Sequence, residues 1–94
     1  MSIYAVSYTY DPADPRVADA RPAHREFIGA LKGEGKIIGS GPLTDADGGA
    51  LIVIRLNDGE DPAEVMDADP FHVEGVISGR SIREWNPVIN VWDD

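Results

Sequence analysis

His24 is the residue of this chain whose type and setting most invite chemistry. It stands in Arg21-Pro22-Ala23-His24, and histidine is the side chain best suited to moving protons near neutral pH. A carboxylate is the usual group that orients an imidazole, and Asp69, in Asp67-Ala68-Asp69-Pro70-Phe71, is the candidate for that part. Between them lies Ser40-Gly41-Pro42-Leu43, a bend that can bring a hydroxyl and an approachable backbone N–H to a developing oxyanion. Arg21 can present a guanidinium to an anion near a helix N-terminus. Phe71 can wall a pocket for a planar ligand, and Tyr10, at the end of a strand, is a further residue to face it.

Each of these has a plainer reading. His24 can be a flank histidine satisfied by solvent, and Asp69, directly before a proline, can simply cap a helical turn. Arg21 can pair with a surface acid, Ser40-Gly41 can be a tight bend, and Phe71 can be core. Asp67 is the rival acid, with the Asp-Pro-Phe context favouring Asp69. Ser40, His24 and Asp69 make a nominal nucleophile–base–acid set, but no nucleophile elbow accompanies them, which argues against acyl transfer.

Other chemistries are excluded by what the sequence lacks. The chain has no cysteine, so neither disulfide nor thiolate chemistry is available to it. His72 is far from His24 in sequence, and no HxH or HExxH spacing supplies a metal site. No glycine-rich phosphate loop of the Walker or GxGxxG type occurs, which argues against nucleotide hydrolysis; no metal and no cofactor is expected. Seventeen acidic against eight basic residues give a formal charge of -9, which disfavours nucleic acid and anionic membrane surfaces as partners. No apolar run approaches the ~20 residues that span a bilayer. The opening Met1-Ser2-Ile3-Tyr4-Ala5-Val6 reads as a strand and not as a signal peptide, so a cytoplasmic, soluble protein is the expectation.

The elements that must position these residues follow from pattern. Ninety-four residues predict one domain over 1–94. Ile3 to Tyr10 is rich in β-branched and aromatic residues and predicts a strand, nearly apolar throughout and therefore central. Asp11 to Pro15 predicts a turn or loop. A first helix is expected to start near Arg21, with Pro22 in its first turn and His24 where the helix dipole favours a neutral imidazole. Its apolar face is Ala23, Phe27, Ala30 and Leu31, with His24 and Ile28 at the edge, and Gly33 and Gly35 end it.

Lys36 to Ser40 predicts a second strand ending at Gly41-Pro42, and Asp45 to Gly49 a hairpin connection. Ala50 to Leu56 predicts a third strand. Asp61-Pro62 opens a second helix that turns Val65 and Met66 inward and ends near Ala68. Asp69-Pro70 starts another short turn with Phe71, Val73 and Val76. Ser81 to Trp92 predicts a fourth strand, interrupted at Asn86-Pro87. The order β-α-β-β-α-β is the ferredoxin-like α+β pattern, an antiparallel four-stranded sheet with two helices on one face. Its other face would be left open, and a sheet-to-sheet homodimer is the expected way to cover it.

On Arg21-Pro22-Ala23-His24, Gly35-Lys36, Ser40-Gly41-Pro42 and Ala68-Asp69-Pro70-Phe71, in this order and spacing, the chain resembles the YciI-like (YCII-related) family from the first strand to about Val88. The resemblance implies a dimeric ferredoxin-like α+β barrel. It also implies a pocket in which His24 and Asp69 form the catalytic pair. One branch of that family is a dehydrochlorinase acting on a chlorinated hydroxyquinol. The resulting expectation is a small cofactor-free enzyme of the lyase or isomerase type acting on a small cyclic or phenolic molecule. Arg21, Ser40, Gly41 and Phe71 would be its substrate contacts. The alternative is a non-catalytic dimeric domain that binds a small ligand.

Overall fold

The computed structural model describes residues 1–91. Four strands, β1 (Ser2–Tyr10), β2 (Ile37–Pro42), β3 (Gly49–Leu56) and β4 (Ile77–Glu84), form one antiparallel sheet in the order β2-β3-β1-β4. Three helices, α1 (Pro15–Gly33), α2 (Pro62–Asp67) and α3 (Pro70–Val73), complete the α+β, ferredoxin-like architecture. The second helical region is thus two short helices broken at Asp69. Among the described residues no helix is long and apolar enough to cross a membrane.

β1 is central, as its apolar composition predicts, and strict alternation divides its two faces. Val6 and Tyr8 are buried under the helices, while Ser7 and Thr9 are exposed on the other side. β3 repeats the pattern, with Ala50, Ile52, Ile54 and Leu56 buried and Leu51 and Arg55 exposed. The β2–β3 connection closes at Gly48, whose φ of 89° suits glycine and whose missing side chain leaves room for the Tyr10 carbonyl. The Tyr10 N–H donates to the Gly48 carbonyl at 2.9 Å, tying the hairpin to the end of β1.

Two sequence expectations are corrected. α1 begins at Pro15, not near Arg21: Asp14 is the N-cap, its carboxylate accepting from the Arg16 N–H at 3.0 Å, and Pro15 takes the first helical position. Pro22 is therefore inside the helix, and His24 lies well beyond the first turn, to which dipole effects are confined. The buried face is also rotated from the expected one. Val17, Ala20, His24 and Leu31 are buried, whereas Ala23 and Ala30 are exposed. The extra turns bring Val17 and Ala20 onto the core and place His24 in the middle of the packed stripe.

β4 runs from Ile77 to Glu84, not from Ser81 to Trp92. Pairing with the central strand, from Tyr10↔Ile77 to Tyr4↔Glu84, draws the segment before Ser81 into the sheet. The strand stops short of Pro87, which has no N–H to give a ladder. Trp92 lies outside the described residues.

Candidate active site

α1, β2 and α3 surround a cleft of about 500 Å³, in the size range of small-ligand sites. Six residues singled out in the sequence line it: Tyr10 from β1, Arg21 and His24 from α1, Ser40 and Gly41 from β2, and Phe71 from α3. Asp69 sits behind this wall, wholly buried, at the N-terminus of α3.

Three donors converge on the Asp69 carboxylate. The Tyr8 hydroxyl donates to Oδ2 at 2.8 Å, the Phe71 N–H to Oδ1 at 3.0 Å, and His24 Nδ1 lies 2.9 Å from both oxygens. A buried carboxylate must be satisfied in this way or destabilise the fold. Because the carboxylate only accepts, Nδ1 carries the hydrogen of the neutral ring, and Nε2 keeps its lone pair. Nε2 has no hydrogen-bond partner among the described residues, and the ring borders the cleft. Phe71 stacks on the imidazole with centroids 4.0 Å apart and planes 2° from parallel. His24 is thus fixed in position, tilt and tautomer, with one nitrogen left for an incoming group.

The N-cap and pairing readings of Asp69 are both realised, since one carboxylate caps α3 and binds the imidazole. Phe71 likewise belongs to the core and to the cleft wall, being buried and stacked at once. Asp67 is exposed and turned elsewhere. It lies 2.8 Å from Arg80 Nη1, close enough for an ion pair though not aligned as a hydrogen bond, and 3.4 Å from His72 Nε2. His72 is an exposed helix residue, as expected. Arg21 is mid-helix, so it meets the cleft as a guanidinium alone and not as part of a helix N-terminus.

Sequence reasoning missed two residues. Tyr8 is one. Burial first, then the neighbouring Asp69 carboxylate, pushes its hydroxyl well above the ordinary value of 10.0, so it remains a donor. The alternation of β1 could have found it, since Tyr8 shares the inward face with Val6. Arg25 is the other, lining the cleft one turn after Arg21, as their i,i+4 spacing allows. Among the described residues no group of three His, Cys, Asp or Glu side chains is placed to hold a metal ion.

The fold, with this buried acid–imidazole pair beside a cleft, defines a small α+β domain of ferredoxin-like architecture. The chain belongs to the YCII-related domain family, whose model matches residues 2–86. It is 40% identical over 62 residues to the uncharacterised protein YjpA of Bacillus subtilis (strain 168), covering 66% of this chain and 71% of that one. Among solved structures it is similar to the 5-chloro-2-hydroxyhydroquinone dehydrochlorinase of Burkholderia phenoliruptrix AC1100, solved with 2,5-dihydroxybenzoquinone. The TM-score is 0.75 at 19% identity, over 89% of this chain and 93% of that one. That likeness is one of fold.

Proposed function

We propose that this protein is a small cofactor-free enzyme of the lyase or isomerase type, in which His24 moves a proton on a small cyclic or phenolic substrate. The observation that carries the reading is the arrangement of His24: Nδ1 is held by Asp69 at 2.9 Å while Nε2 is left unpartnered in a ring that borders the cleft. In this mechanism Nε2 takes the substrate proton, and the positive charge that results sits against the Asp69 carboxylate. The proton is then returned to another atom of the same molecule or lost as a leaving group departs. Arg21 and the Ser40-Gly41 edge face the substrate oxygen whose negative charge grows, and Phe71 bounds its ring. The fold of a dehydrochlorinase that was solved with a dihydroxybenzoquinone supports the choice of substrate class.

The direct experiment is deuterium exchange into candidate hydroxylated aromatics in D₂O, 5-chloro-2-hydroxyhydroquinone among them, followed by NMR. Exchange catalysed by the wild type and abolished in His24→Ala supports the assignment. Equal exchange in both proteins overturns it, and ligand binding without exchange by any compound favours the non-catalytic alternative.

We further propose a homodimer formed through the open sheet face, a second copy covering Leu51, which is 39% exposed, and the half-buried Ile3 and Val53. One domain over 1–94 is part of the same reading.

A further inference from the structure

We propose that the substrate carries an acid group, a carboxylate or a phosphate set apart from its reacting oxygen, and that Arg25 holds it. The inference rests on the small-ring reading above and narrows it. Charge is the first support. The chain has 17 acidic residues against 8 basic ones, yet no Asp or Glu lines the cleft at His24, whereas Arg21 and Arg25 both do.

Pairing is the second support. Arg16, Lys36 and Arg80 each lie against a carboxylate, and Arg55 donates to the Gly35 carbonyl. Arg21, Arg25, Lys32 and Arg83 have neither an ion pair nor a side-chain hydrogen bond among the described residues, and of these four only Arg21 and Arg25 line the cleft at His24. At i,i+4 on one helix their charges oppose each other until anions arrive. One guanidinium facing the reacting oxygen leaves the second for a separate negative group, and the planar fork of arginine matches carboxylate and phosphate oxygens in pairs.

The shape of the surface is the third. A second hollow of about 400 Å³ continues the first, sharing Arg25, Ile28 and Ser40 with it, and runs between α1 and β2 as far as Lys32. It too has no acidic lining residue. Arg25 stands at the junction. A ring seated beside Phe71 and His24 sends a substituent past Arg25 into this groove, with Lys32 beyond.

The test titrates hydroquinone, 2,5-dihydroxybenzoate and 4-hydroxyphenyl phosphate against the full chain, with binding at His24 followed by NMR. At least one of the two acids is expected to bind about tenfold or more tightly than hydroquinone. Whichever binds better identifies the acid group. In Arg25→Gln the preference is expected to fall toward unity; Arg25 is exposed, so the variant keeps the fold. In Arg83→Gln, whose arginine lines neither hollow, it is expected to persist. Equal affinity for all three compounds overturns the proposal and leaves the ring reading standing. A preference that survives in Arg25→Gln overturns the assignment to that residue. Failure of all three to bind at His24 overturns both readings.

Discussion

Both carboxylate oxygens of Asp69 lie 2.9 Å from Nδ1 of His24, across 45 positions of sequence. The imidazole thus faces the middle of the carboxylate, whose outer lone pairs are taken by Tyr8 and the Phe71 N–H. Such an acid can orient a ring and stabilise its cation.

Asp69→Asn tests that division of labour. An amide can offer N–H where the carboxylate only accepted, so the ring is no longer held in one tautomer. Proton transfer measured by deuterium exchange is expected to fall about 10²-fold or more, mainly in kcat, while ligand KM changes little. A loss confined to KM would mean that the aspartate serves binding and not proton transfer.

Tyr8→Phe removes the donor to Asp69 Oδ2 without removing the ring that packs in the core. A buried acceptor left short of a partner costs about 1–3 kcal/mol, which urea unfolding will read as a lower midpoint. An unchanged midpoint would show that Tyr8 contributes nothing to holding the carboxylate.

The same hydroxyl gives a pH dependence. Its proton is held in the fold above the ordinary value of 10.0 because burial and Asp69 disfavour the phenolate. The unfolded chain releases that proton first, so the folded state binds more protons in this range and stability falls as pH rises above about 10. Thermal melts between pH 8 and 11 should decline more steeply for the wild type than for Tyr8→Phe. Parallel curves would count against it.

Pro22 interrupts a continuous helix at an exposed position, where its ring cannot donate to the Ala18 carbonyl. Pro22→Ala restores that bond, set against the freedom it returns to the unfolded chain. The expected net is a gain of about 1–3 kcal/mol, visible as a raised urea midpoint. A loss of stability would mean that the proline holds a bend the site requires.

For the sheet face, Leu51→Lys places a charge at the centre of the proposed interface. Wild type should sediment as a dimer at micromolar concentration and the variant as a monomer. A monomeric wild type would refute the interface outright.

Much of this was legible in the chain. Period-two burial in β1 and β3 is written in Val6, Tyr8, Ile52 and Ile54, and the order of elements follows from the turn residues between them. The start of α1 is obscured by Pro22, which resembles a first-turn proline but lies inside the helix. Asp14-Pro15 carries the same N-cap and proline signature as Asp61-Pro62 and Asp69-Pro70, and all three pairs open helices. The first half of β4, Ile77-Ser78-Gly79-Arg80, holds a glycine and two polar residues that give no strand pattern, and pairing with β1 is what draws it into the sheet. His24 and Asp69 could be named from their local setting. Their contact, and the roles of Tyr8 and Arg25 beside it, depend on how α1 crosses the sheet, which no local pattern states.

The carboxylate that caps α3 also starts the turn that carries Phe71, two residues on. The acid on one edge of the imidazole and the ring against its face therefore arrive together, as parts of one helical turn. If that turn melts, His24 loses its tautomer lock and its stacking partner in one event, and Phe71 leaves the core with them. Two residues of one short turn, Asp69 and Phe71, thus brace the imidazole from its edge and from its face.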